Sequence, residues 1–275
     1  MPELPEVESI RRQLSATVVE RPIRGVSIFR SSMIMNTEAV YFQEIFRENE
    51  FRSFDRRGKY LLGYLKTNHL LVVHLGMTGQ LYNACEEEPK KNHTHIIWQF
   101  SDAMELRYRD VRRFGKVYLL DHTDYTVIPG LSRMGPEPLD EGFHLEQWLD
   151  LFYDKQKGPI KRYLLDQHFI AGIGNIYADE SLFRAKIDPR REIGSLSRKE
   201  KILLYQSIRE ILSVAIEQGG SSIQDYINAR GQKGGFQDSH CVYGKKDMPC
   251  VICGQPLRMC KIAGRTTTYC RFCQK

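Results

Sequence analysis

The 275-residue sequence has no apolar run of transmembrane length, no internal repeat and no signal-peptide pattern at its acidic N-terminus. These absences predict a globular cytoplasmic protein with no membrane partner. Cysteine is almost missing from the first 240 residues, where Cys85 stands alone; the other six lie between Cys241 and Cys273. Such crowding argues against a secreted disulfide framework and for a metal. A strong excess of one charge is also lacking: the net value of +6 suggests nucleic acid only weakly. Its distribution says more. From Tyr226 onward nine Lys/Arg face two Asp, a balance of +7, and a zinc ion held by four thiolates would leave +5. A short basic tail of this kind attracts phosphate.

Hydrophobic patterning divides the chain. Val7, Ile10 and Leu14 form a helical stripe after Pro5 and Glu6. Short β-prone runs follow at Leu61–Leu65, Leu70–Leu75, His95–Phe100, Glu105–Tyr108 and Lys116–Leu120, with a polar loop at Glu86–Asn92. Gly135-Pro136-Glu137-Pro138 sustains neither a helix nor a central strand and marks a linker. Helices are then predicted from Gly158-Pro159, from Asn175, and from Ser197, where Glu200 three residues on gives a capping-box pattern. Gly219-Gly220 ends the last of these. The five glycines of Gly219–Gly235 predict a mobile loop.

Cys250-x2-Cys253 and Cys270-x2-Cys273 stand sixteen residues apart. Each pair places two thiolates at one tight turn, and two pairs complete a tetrahedron. The spacing predicts one structural zinc, since four thiolates leave no open position; Cys241 and Cys260 fall outside it as free thiols. Leu257–Ile262 and Thr266–Tyr269 read as a hairpin that presents Arg265 near its turn. At the other end, removal of Met1 would leave Pro2 with a free secondary amine. An α-amine has a pKa of ~7.7–8.0, so part of it is nucleophilic near neutrality. Attack on a sugar C1′ would give an iminium, an electron sink, and Glu3 and Glu6 are near in sequence to move protons. The same residues also suit an ordinary helix start.

MPELPEVE closely resembles the N-terminus of bacterial formamidopyrimidine-DNA glycosylases. Asp166-Gln167 followed by AGIGNIYADESLFRAKIDP resembles the helix–two-turn–helix motif of that family. The resemblance covers nearly the whole chain. It implies an α+β protein: an N-terminal β-sandwich with a leading helix (1–130), a linker (131–146), a helical domain with the helix–two-turn–helix motif and a lesion-capping loop (147–235), and a zinc β-hairpin built on four cysteines (236–275). It implies a monomeric glycosylase and abasic-site lyase that removes oxidised purines from damaged double-stranded DNA in base-excision repair. Pro2 is then the nucleophile, Glu3 the proton-transfer residue, Lys59 the catalytic hairpin lysine and Glu6 an organiser of the nucleophile.

Met77, Arg112 and Phe114 match the family's residues that fill the gap left by an everted nucleotide. A plug has a physical purpose, because such enzymes must extract their target from the stack. Asn175 matches a family residue that contacts DNA phosphate and Lys161 a family lysine near the site; Arg265, near the tip of the basic hairpin, is a further candidate phosphate contact, and His74 and Tyr243 are candidate DNA contacts. Ser221, Ser222, Ile223, Gln224 and Tyr226 lie in the capping loop, with Gln224 where an arginine is often found. Cys250, Cys253, Cys270 and Cys273 hold the zinc. Two alternatives remain: an endonuclease VIII-type oxidised-pyrimidine glycosylase, against which Leu4, the Met77/Arg112/Phe114 set and the GPEPL segment speak, and a noncatalytic zinc-dependent DNA-binding protein.

Overall fold

Glu3 starts the first helix, α1 (Leu4–Thr17), with Pro5 in the first turn, where a missing N–H costs nothing. The stripe Val7, Ile10 and Leu14 is fully buried. Its other side carries Glu8, whose carboxylate binds Arg11, Arg12 and Arg56. Burial alone would raise the Glu8 pKa, but the hydrogen bonds from Arg11 and Arg12 bring it below the usual carboxylate range. The computed structural model describes every residue except His122, Thr123 and Gln224.

Eight strands follow: β1 (Pro22–Ile28), β2 (Asn49–Arg57), β3 (Tyr60–Leu65), β4 (His69–His74), β5 (Gly79–Cys85), β6 (Thr94–Phe100), β7 (Met104–Asp110) and β8 (Lys116–Asp121), with helix α2 (Ala39–Phe46) between β1 and β2. Their order is β5-β7-β6-β1-β2-β3-β4-β8, antiparallel throughout. Only Pro22–Glu50 and Ile23–Asn49 pair β1 with β2, so the path bends there into two four-stranded halves of a β-sandwich. One apolar cluster joins both halves to α1 and α2. The rings of Phe42 and Phe46 lie 4.7 Å apart, and Trp98 meets Phe46 edge-on at 5.9 Å. Gly63 lies where β3 passes the Phe51 ring; a Cβ there would sit 2.9 Å from it.

Two compact units emerge. The first combines 1–132, which ends in the short helix α3 (Pro129–Ser132), with the returning segment 218–237. The second comprises 133–217 and 238–275. Sequence patterning groups 218–235 with the helices; by contacts this segment belongs to the sandwich unit. The second unit contains α4 (Leu145–Asp150), α5 (Ile160–Leu165), α6 (Asn175–Arg184), α7 (Arg198–Glu217) and a hairpin of β9 (Arg258–Ile262) and β10 (Arg265–Tyr269). The capping box at α7 forms as expected, with Ser197 N–H donating to Glu200 at 2.8 Å and Glu200 N–H to Ser197 Oγ at 3.3 Å. Ala263 and Gly264 both have positive φ (48° and 73°), the conformation of a two-residue turn that matches strand twist. No helix among the described residues is long and apolar enough to cross a membrane.

Candidate functional site

In the sandwich unit the predicted residues gather in two places. The first is the start of α1. Pro2, Glu3 and Glu6 are all buried, while Met1 is exposed. Glu6 holds the centre of this cluster. Its Oε2 accepts from Glu3 N–H at 2.7 Å, and its Oε1 accepts from Ser221 N–H, also at 2.7 Å. One carboxylate thus ties the helix start to a loop 215 residues further on. Tyr226 reinforces the tie, donating its hydroxyl to the Glu6 and Gly219 carbonyls. Gly220 permits the approach: its φ is +81°, and a Cβ would lie 2.7 Å from Glu6 Oε1.

Composition predicts mobility for this loop, yet its polar atoms close on one another. Ser222 Oγ donates to the Tyr226 carbonyl and accepts from Gly234 N–H. Asn228 Oδ1 accepts from the N–H groups of Arg230 and Gln232. Asn83 N–H on edge strand β5 donates to the Ala229 carbonyl at 2.8 Å. Ile223 projects into solvent. Gln224 lies outside the described residues.

Lys59 is buried beside the β2–β3 turn, where Gly58 takes a φ of 54°. Its neighbour Tyr60 pairs with His74 across the strands, and their rings are 4.8 Å apart. Burial, then the positive charges of Lys59 and Lys116, push the His74 pKa down to about 4. The imidazole is therefore neutral near pH 7. Its Nδ1 accepts from Gly76 N–H at 3.3 Å, which leaves Nε2 as the N–H donor.

The second place holds Met77, on the β4–β5 loop, and Arg112 and Phe114, on the β7–β8 loop. Phe114 is 52% exposed and Met77 36%, high values for such apolar side chains. The Arg112 guanidinium stacks 4.7 Å from the Phe114 ring centre. Between them Arg113 takes a φ of +59°. The loops touch directly, since a Cβ on Gly76 would lie 2.6 Å from Gly115 N. Sequence patterning missed the polar residues beneath them, Thr78 and the fully buried Asp110.

In the second unit, Asn175 opens α6. The turn before it is closed by Gln167, which accepts from Gly172 N–H at 2.9 Å and donates to the Ile173 carbonyl at 2.8 Å. Asn175 Nδ2 donates to the Thr266 carbonyl at 2.9 Å, next to Arg265. Lys161, expected at the DNA surface, has no exposed side-chain area. Its ammonium pairs with Asp179 at 2.6 Å and donates to Thr267 Oγ1 at 2.8 Å. Asp179 in turn accepts from Thr268 N–H at 3.1 Å. Burial raises the Asp179 pKa, and the Lys161 charge opposes that rise. The adjacent Glu180 accepts from the N–H groups of Cys241, Val242 and Tyr243 at 2.8–2.9 Å, which fixes the backbone of Tyr243. The only sequence signal for this anchoring is a pair of acids inside an otherwise apolar helix start.

The Sγ atoms of Cys250, Cys253, Cys270 and Cys273 all lie within 4.8 Å of one another. Two pairs are separated by 3.9 and 3.5 Å. Tetrahedral zinc–sulfur bonds of ~2.3 Å require sulfurs about 3.8 Å apart, so the four residues fit such an ion. Ile252 N–H also points at Cys250 Sγ at 3.5 Å, a donor suited to a thiolate. Burial raises the pKa values of Cys241 and Cys260 and keeps them protonated thiols.

A profile of the formamidopyrimidine-DNA glycosylase N-terminal domain matches residues 1–117, and one of the formamidopyrimidine-DNA glycosylase H2TH domain matches residues 134–227. The formamidopyrimidine-DNA glycosylase of Pelotomaculum thermopropionicum is 40% identical over the full chain and 99% of its own length. That of Desulfitobacterium hafniense is 42% identical over all of both chains. The crystal structure of the MutM (Fpg) protein from Thermus thermophilus superposes with a TM-score of 0.89 at 40% identity, covering 99% of this chain and 98% of that one. A complex of Lactococcus lactis Fpg with DNA containing an abasic site gives 0.92 at 37% identity, covering 99% of each. With full-length identity, both domain profiles and this arrangement of its N-terminus, loops and cysteines, the chain belongs to the formamidopyrimidine-DNA glycosylase family.

Proposed function

We propose that the chain excises oxidised purines, such as 8-oxoguanine and formamidopyrimidines, from duplex DNA and then nicks the strand through an N-terminal proline Schiff base. The observation that carries this reading is the Glu6 carboxylate, which joins the Glu3 N–H to the Ser221 N–H of the later loop. A loop over an everted base and a nucleophile for its sugar must be placed together, and one rigid acceptor does so.

Met1 is exposed to the peptidase that would free the Pro2 amine. The amine attacks C1′ as the C1′–base bond breaks, and the base leaves with its electron pair and a proton. Glu3 assists proton transfer and opening of the sugar ring. The resulting iminium draws electrons from C2′, so loss of a proton there expels the 3′ phosphate; a second elimination expels the 5′ phosphate. Lys59, beside His74, faces a phosphate near the lesion, and neutral His74 donates from Nε2. Met77, Arg112 and Phe114 fill the gap in the duplex. Asn175, Tyr243 and Arg265 hold phosphates, while Lys161 acts from inside the protein by holding the hairpin. Zinc on the four cysteines contributes structure and no chemistry. The enzyme acts as a monomer in the cytoplasm, on chromosomal DNA.

Borohydride trapping tests the reading. It should reduce the iminium to a stable adduct that maps to Pro2 on a duplex carrying 8-oxoguanine. Pro2→Gly should trap poorly, and Glu3→Gln should lose base removal. An adduct that maps to Lys59 would displace Pro2 as nucleophile, and preference for oxidised pyrimidines would favour the endonuclease VIII-type alternative.

A further inference from the structure

Asp110 is a carboxylate with no solvent exposure at the end of β7. Burying such a group is unfavourable unless hydrogen bonds replace its water. Two of them come from two different loops. Thr78 Oγ1, in the β4–β5 loop, donates to Asp110 Oδ1 at 2.5 Å, and Gly115 N–H, in the β7–β8 loop, donates to Oδ2 at 2.8 Å. Thr78 Oγ1 then accepts from Arg112 N–H at 2.9 Å. A hydroxyl that donates to Asp110 and accepts from Arg112 N–H is fixed in orientation. Asp110 itself is held by His95, whose Nε2 meets its carbonyl at 2.8 Å. Thr78 directly follows Met77, Arg112 lies two residues before Phe114, and Gly115 directly follows it.

We propose that Thr78 and Asp110 form a buried clamp that sets the spacing between Met77 and the Arg112/Phe114 pair, so that the three side chains enter DNA as one unit. The clamp rests on the wedge role given above to those three residues. Without it each loop still folds, but the apolar tips lose their common register. Arg113 takes a left-handed conformation, which is costly for a non-glycine residue, and the bonds at Arg112 and Gly115 hold the chain on either side of it. Thr78 and Asp110 are positioning residues: they act on DNA through the loops above them.

The test compares Thr78→Val, which keeps the shape and removes the hydroxyl, with Thr78→Ser, which keeps the hydroxyl. Single-turnover excision is measured on 8-oxoguanine paired with cytosine and on the same lesion in an unpaired bulge. Thr78→Val should be slowed about tenfold on the matched duplex, the loss of one hydrogen bond to a charged group, and should approach wild type on the bulge. Thr78→Ser should stay within about twofold of wild type on both. Equal slowing of Thr78→Val on both substrates, or failure of Thr78→Ser to restore the matched-duplex rate, would overturn the clamp. Met77→Ala is run in parallel. If it is slowed only on the matched duplex while Thr78→Val is not, the clamp fails and the wedge stands. If Met77→Ala shows no such selectivity, the wedge itself fails and the clamp falls with it.

Discussion

The helix start at Pro2–Glu3 and the cysteine hairpin at 258–269 both present candidate DNA-contacting residues, yet they are supported differently. The helix start rests on a large apolar cluster that runs through α1, α2 and both halves of the sandwich. Glu6 then adds hydrogen bonds to a position already defined by packing. The hairpin has five-residue strands and a small cluster of Phe183, Val242, Cys250, Leu257 and Cys270 beneath it. Two of those five are predicted metal ligands. What packing does for the sandwich, buried charge and a metal on the four cysteines would do for the hairpin.

Metal removal breaks this comparison most strongly. Structural zinc in small domains is worth ~10–16 kcal/mol. Cys253→Ser in the full chain should therefore lose zinc and disorder the hairpin, with at least a hundredfold loss of DNA affinity, while the tryptophan and aromatic signals of the sandwich persist. Metal analysis and near-ultraviolet circular dichroism check this. One equivalent of zinc in that variant, with unchanged affinity, would remove the metal from the account.

The Lys161–Asp179 pair sharpens the same contrast at a smaller scale. Both side chains are essentially without exposure. Lys161→Met leaves Asp179 buried without its cation, which should cost about 3–5 kcal/mol and weaken DNA binding through the hairpin. Asp179→Leu added to it removes the stranded charge and should recover much of the stability. Chemical denaturation of the single and double variants measures both. A double variant no more stable than the single one would mean that the lysine's bond to Thr267, rather than the ion pair, carries the effect.

The smallest expected effect concerns pH. Burial, with nearby lysine charge, lowers His74 in the sandwich unit and His240 in the second unit to about 4. The unfolded chain takes up these protons near 6.5, before the folded protein does. Stability from both groups is therefore complete above about pH 6.5, declines as pH falls toward 4, and levels off below. His74→Gln should flatten that decline for the sandwich alone, and calorimetry between about pH 7 and 4 would show it. An unchanged slope in this variant would exclude His74 as its source.

The sequence made the cysteine pairs, the hairpin, α7 and the central strands legible because their signals are local: ligand spacing, a capping box, and apolar runs such as Leu70–Val73. The proposed N-terminal chemistry rests on family resemblance, since Pro5, Glu6 and Glu8 read equally well as a helix start. Composition was silent on the contacts made at 219–235. Five glycines say nothing of these contacts: Ser222 and Asn228 bond within the segment, and Tyr226 bonds to Glu6, 220 residues away in the chain. Lys161 illustrates the same gap. A lysine one residue inside a helix reads as surface until its partner, eighteen residues away, is seen facing it in the core. Asp110 and Thr78 carry no motif at all; only tertiary proximity reveals what they join.

The sandwich unit includes residues 218–237, which are made long after its strands. On the ribosome, Glu6 is made 215 residues before its partner Ser221. At ~5–20 residues per second the interval is on the order of 10–40 s. During that time the emerging chain has its N-terminal helix and strands but no loop to seat against them. A chain that stops short of Ser221 carries the Pro2–Glu3 segment without the loop that the Glu6 carboxylate holds.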